Sequence, residues 1–143
     1  MTVRRPSRLG IGLAVLLLAG ACTYFPSVRD TGGVRLRPER ARAVRSSGAS
    51  EAVVYFLLRS TGKYGDVLTG AKTEVARRAE LRSSANRRVD EIEIPGETVV
   101  SFEEKGPRVV LTDLTRTLNP GEVIIVTLHF QKSGSLGLIT VVE

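Results

Sequence analysis

The sequence predicts an all-β chain, a sandwich of about seven to eight short strands over residues 51–143, joined through a basic tether to an N-terminal export signal. Three observations carry this reading. Apolar residues recur with period two in several short runs. Clusters rich in Gly, Pro, Asn and Ser separate those runs at short intervals. Only residues 73–88, "TEVARRAELRSSANRR", can be written as a helix, and their alternation around Val75–Leu81 fits a strand and loop equally well.

Residues 1–21 come first. Arg4, Arg5 and Arg8 stand without an acid ahead of the uncharged "LGIGLAVLLL", the pattern of an export signal with a basic and then an apolar region. That apolar run falls short of the roughly 20 residues that cross a hydrocarbon core, so a permanent membrane span is the weaker reading. The adjacent Arg4 and Arg5 leave the twin-arginine and the general export routes both open.

Cys22, the single cysteine, closes the run "LLLAGAC". The small residues Ala19, Gly20 and Ala21 before it resemble a bacterial lipobox, with Leu18 displaced by one place and Ala19 in its usual position. The resemblance implies cleavage before Cys22 and lipid attachment to its sulfur; an ordinary cleaved signal is the competing reading. A chain running from Cys22 to Glu143 has 122 residues and no second cysteine, so burial alone must hold its fold together.

Residues 22–50 form the expected lipid-anchored tether. Between 23 and 50 there are six arginines against Asp30 and Glu39, a net of +4. This stretch reads as a solvated linker, with part of "GVRLRPERARAV" pairing as an edge strand. Its functional reading is attraction to an anionic membrane or wall polymer. From residue 51 onward twelve Lys and Arg face thirteen Asp and Glu, a net of −1. The overall +6 therefore belongs to the signal and tether, and a nucleic acid is excluded as a partner because the folded domain carries no basic excess.

The domain's strands follow from alternation. In "AVVYFLLR" both faces are apolar, as in a strand covered on both sides. In "ETVVSFE", Thr98, Val100 and Phe102 share one face and Val99, Ser101 and Glu103 the other. In "EVIIVTLHFQ", Ile124, Val126, Leu128 and Phe130 make an apolar face opposite Thr127, His129 and Gln131. The turns "STGKYG", "IPGE", "EKGP", "NPGE" and "KSGS" punctuate these runs.

Chemistry is sparse. His129 is the one histidine and lies on an outward strand position, where a solvated sheet histidine is the expectation. The run "SGSLG" at 133–137 has serine where a nucleophile elbow needs glycine, and no helix follows it. The acids Glu103, Glu104, Asp90 and Glu91 sit beside turns and read as solvated surface. No phosphate loop, dinucleotide fingerprint, zinc cluster or calcium loop occurs, so the chain reads as non-enzymatic and without a cofactor.

The pieces "YFLLRSTG", "IEIPGETV", the "LNPGE" turn before a V-x-L-x-F strand and the closing "KSG" hairpin together resemble the PCu(A)C family of periplasmic copper chaperones, across roughly Ala52 to Val142. They resemble its ligand-poor members among actinobacterial surface lipoproteins in particular. The family fold is a cupredoxin-like, immunoglobulin-like β-sandwich. By the resemblance, "RRAELR" places Arg82 at the family's first histidine, and "KGPRVVLTDL" places Arg108 and Val110 at its His-x-Met pair. The "SSANRRV" that separates these segments is too short for a methionine-rich hairpin. Cu(I) needs soft thioether, thiolate or imidazole donors, and guanidinium groups at those positions instead repel it. The repulsion is roughly 1 kcal/mol at 4 Å in water and about 4 at an effective dielectric of 20. Two functions follow as expectations: an interaction module that meets an envelope protein or anionic polymer through Arg82, Arg108 and Val110, or a copper carrier whose partner supplies the donors. The competing reading of the two arginines is that each is solvated or paired with a nearby acid such as Glu80, Glu103, Glu104 or Asp113.

The anchor has a direct check. Labelled palmitate is expected to enter the wild-type chain in a lipoprotein-processing cell, and Cys22→Ser to abolish both the label and membrane retention. A soluble, unlabelled mature protein would contradict it, because two acyl chains at about 0.8 kcal/mol per buried CH₂ hold the chain on a bilayer.

Overall fold

The computed structural model describes residues 33–47 and 50–143; the signal, Cys22 and the first part of the tether lie outside the described residues. Ten strands account for the regular structure: β1 Leu36–Arg45, β2 Ala52–Ser60, β3 Asp66–Thr73, β4 Ala76–Arg82, β5 Arg88–Val89, β6 Ile92–Ile94, β7 Thr98–Phe102, β8 Arg108–Leu114, β9 Val123–Phe130 and β10 Gly134–Val142. No helix is present among the described residues, and none is long and apolar enough to cross a membrane. The strands hydrogen-bond in the order β5-β4-β8-β2-β1-β10-β9-β3-β6, with β7 beside β2, and form one nearly closed, barrel-like sheet.

The count exceeds the expected seven to eight because two very short strands, β5 and β6, and the strand β1 add to it. β1 departs most from expectation. Its sequence "LRPERARAVR" was expected in the tether, with part of it pairing at an edge, yet it lies between β2 and β10. Of its residues only Ala43 is fully buried, so no apolar alternation announces it. Backbone pairing fixes it instead: Leu36 to Arg45 run antiparallel to β2, from Leu36 opposite Ser60 to Arg45 opposite Ala52, with a bulge between Glu39 and Arg42 where Arg40 takes φ 54°. Its contact with β10 is short and parallel, at Arg42 opposite Val141 and Ala43 opposite Val142. The segment 73–88, left open between helix and strand, becomes β4 and the hairpin to β5.

The core lies between the layers. β2 sends Ala52, Val54, Phe56 and Leu58 inward, β9 sends Ile124, Val126, Leu128 and Phe130, and β8 sends Val109 and Leu111. Phe56 stacks on Phe102 of β7 with ring centroids 4.2 Å apart. The alternation read for β9 holds in the structure, since its four even apolar residues are buried while Thr127 and His129 are half-buried on the other side. β2 differs from its reading, because its second face, Val53, Tyr55 and Leu57, is only half covered. At one end of the sandwich two turns touch too closely for side chains: a Cβ on Gly62 would overlap the Gly33 carbonyl, and one on Gly96 the Lys63 carbonyl.

Asp66 ties the β9–β10 hairpin to β3. It is 2% exposed, and its carboxylate accepts hydrogen bonds from the backbone N–H of Val67 at 2.8 Å, Lys132 at 2.9 Å and Ser133 at 2.8 Å. Burial pushes the carboxyl up, but the bonds from Ser133, Lys132 and Val67 outweigh it and hold the group below its ordinary value of 3.8. The contribution of Asp66 is therefore complete above pH 3.8 and is lost as pH falls through the lower folded value. Asp66→Asn turns an amide N–H₂ toward the same donors, and a loss of about 2–3 kcal/mol is expected, read by urea unfolding at pH 7. The same titration at pH 3 should show a smaller gap between variant and wild type; an equal gap would mean that the carboxylate charge is not what holds the hairpin.

Candidate functional site

The register of β4 against β8 decides what stands on the outer face of this layer. Leu81 opposes Val109, and both are buried in the core at 4% and 0% exposure. Alternation then turns their neighbours outward together. Arg82 stands opposite Arg108, and Glu80 stands opposite Val110. The three positions singled out from the sequence, Arg82, Arg108 and Val110, are thus brought to one face.

Their surroundings differ. Arg82 donates to the Glu80 carboxylate at 3.3 Å, and both side chains are largely covered, at 24% and 15% exposure. Arg108 donates from a terminal nitrogen to the Glu104 carbonyl at 2.5 Å, while its Nε is buried with no hydrogen-bond partner among the described residues. Val110 is 1% exposed yet stands outside the main core, beneath Glu80 and beside Val53 of β2. So little of it is exposed that it offers no contact surface of its own.

One participant, Arg88, was missed in the sequence. Arg88 stands opposite Arg82 in the β4–β5 hairpin, and Glu80 also lies 4.0 Å from Arg88. The signal for Arg88 was present. Reading 83–87 as a hairpin turn makes 82 and 88 partners, and Asn86 supplies the left-handed residue such a turn uses, at φ 59°. The turn is closed by the Ser83 N–H on the Arg87 carbonyl at 2.8 Å.

Elsewhere, His129 stands opposite Ser135, with Nδ1 and Oγ 3.0 Å apart. No carboxylate contacts the ring among the described residues, so the pair lacks the third member that a serine nucleophile needs. Among the described residues no group of three or more His, Cys, Asp and Glu side chains is placed to hold a metal ion. On the outer face of β9 and β10, Val123, Ile125, Ile139 and Val141 form an exposed apolar patch, with Ile125 opposite Ile139 and Val123 opposite Val141.

Comparison with known proteins agrees with the fold. A structure described as the copper-bound PCuAC domain from PmoF2 is 26% identical, covers 76% of this chain and 92% of that one, and superposes with a TM-score of 0.69. The apo PCuAC domain from PmoF1, 22% identical with a TM-score of 0.67, covers 78% of this chain and 94% of that one. The solution structure of CuI-DR1885 from Deinococcus radiodurans, 23% identical with a TM-score of 0.64, covers 76% of both. These last two likenesses show the shared fold alone. No curated protein matches the chain. A family model does, over residues 34–142, which takes in β1 and ends on the last residue of β10. The chain belongs to the LpqE-like family, whose description reads "Putative lipoprotein LpqE-like".

Proposed function

We propose that this protein is a non-catalytic lipoprotein of the cell envelope. Cys22 anchors it to the extracytoplasmic face of the cell membrane, and its PCuAC-like sandwich is an interaction module for an envelope protein or anionic polymer. The observation that carries the reading is the placement of Arg82 opposite Arg108 on one face, at the positions that by resemblance belong to the family's copper ligands. The lipoprotein description of the family supports the envelope location. The likeness to a PCuAC domain, by resemblance a family of copper chaperones, supports a non-enzymatic protein.

Copper does not fit these residues. A guanidinium has no free lone pair and carries a positive charge, and valine offers no donor. Two guanidiniums side by side instead suit an oxyanion, because each presents two N–H groups in one plane. Glu80 offsets part of the charge, so the contact is expected to be weak and salt-sensitive. A second reading, a copper carrier completed by a partner's donors, draws on the 26% identity to a copper-bound domain.

Changing Arg82 and Arg108 together to glutamine tests the first reading. Like charges directly opposite each other in a sheet are unfavourable, so thermal stability should be kept or slightly raised. Crosslinking in the source cell envelope should then lose the partners that wild type captures. Recovery of the same partners at the same yield would place the binding surface elsewhere.

A further inference from the structure

Arg82 and Arg108 are the middle of a longer row. Arg88 of β5 opposes Arg82, and Arg82 opposes Arg108. β8 continues to β2 with Val110 opposite Val53 and Val109 opposite Val54, and that register carried one residue further sets Tyr55 level with Arg108. Tyr55 in turn opposes Arg42 of β1, whose guanidinium lies over the tyrosine ring at 5.0 Å. One rung therefore crosses five adjacent strands as Arg88, Arg82, Arg108, Tyr55 and Arg42. At about 4.8 Å per strand it is roughly 19 Å long.

We propose that this rung is a track for a linear polyphosphate-type chain, a thread of repeating phosphate groups laid across the strands. The proposal rests on the reading of Arg82 and Arg108 as an anion contact, and it names the occupant and the extent of that site. Four observations support a thread. The four arginines and Tyr55 fall on one rung, the next rung along the strands is apolar, with Val44, Val53 and Val110 in line before Glu80, and two further arginines of this face, Arg59 and Arg78, are paired with Glu39 and Asp113. Among the described residues the four guanidiniums are met by two carboxylates, Glu80 and Glu143, the latter 3.0 Å from Arg42. Arg108 keeps a buried Nε–H without an acceptor among the described residues. Beside Arg42 and Tyr55, on the side of Leu57, the face dips into a hollow of about 250 Å³ lined by Arg40, Arg42, Tyr55, Phe56, Leu57 and Glu103, which leaves room next to the row.

The spacing selects phosphate. Neighbouring arginines on adjacent strands stand about 5 Å apart, and the diverging oxygens of a tetrahedral phosphate can accept from both at once. A planar carboxylate matches a single fork, and Glu80 already presents one to Arg82. A flat lipid surface would draw on basic groups scattered over a face and would gain nothing from their alignment.

The test uses the full-length chain in neutral detergent and fluorescently labelled long-chain inorganic polyphosphate, with Arg42→Gln and Arg88→Gln at the two ends of the rung. Each end variant is expected to weaken binding of the long chain about three- to tenfold. Each should leave the melting temperature unchanged, since exposed ion pairs contribute little. Tripolyphosphate, shorter than the row, should bind weakly and equally to wild type and both end variants. If Arg42→Gln and Arg88→Gln bind the long chain as wild type does while the Arg82/Arg108 double glutamine variant loses it, the track is overturned and the compact arginine pair stands. If the double variant also binds unchanged, both readings fall. Equal or tighter binding of polyglutamate, or of phosphatidylglycerol vesicles, would also overturn the assignment in favour of a carboxylate chain or a lipid surface.

Discussion

Alternation in the β4–β8 pair is the constraint on which the outer face depends. Burial of Leu81 and Val109 in a shared core fixes which way each strand is turned. A slip of one residue would send Arg82 and Arg108 inward and expose the two apolar side chains. That exchange costs far more than any ion pair on the surface returns, because an unpaired buried charge is among the most expensive defects a core can hold. The arginine row is therefore held in place by packing on the other side of the sheet, and its members need make no strong bonds to one another.

The same face carries unfavourable electrostatics that folding does not require. Two successive cross-strand pairs, Arg82 with Arg108 and Arg82 with Arg88, join like charges. Glu80 relieves this only in part, at 3.3 Å from Arg82 and 4.0 Å from Arg88. Contrast the interior, where Asp66 is fully satisfied by backbone donors from two elements. Contrast also the surface at Glu122, whose carboxyl is held below its ordinary value of 4.5 by Arg116 first and by the Asn119 N–H after it. Asp66 and Glu122 are each paired, whereas Arg108 in the row meets a backbone carbonyl and no carboxylate among the described residues.

Much of the fold was legible in the sequence and the rest was not, for identifiable physical reasons. The strand at 123–130 was plain because its two faces meet different environments, core on one side and solvent on the other. β1 was hidden because its stability comes from backbone pairing with β2, and only Ala43 marks its inner face. Small residues and arginines on a strand read as linker unless the partner strand is known. At the site, Arg82, Arg108 and Val110 were reached through family motifs, yet their arrangement was not. The Arg82–Arg88 pair is set by a local hairpin turn, whereas Tyr55 and Arg42 continue the row through the register of β2 with β8 and β1. Register between strands distant in the chain is encoded by no single stretch of sequence.

The central claim is the proposal that the outer face of β4 and β8 meets anions rather than copper. Competition for Cu(I) between the chain from residue 23 onward, which contains every described strand, and a chromophoric chelator tests it most directly. The account predicts that the chelator keeps its copper, because His129 alone offers a soft donor on the described sandwich and it is engaged with Ser135. A one-to-one complex tighter than micromolar would contradict it.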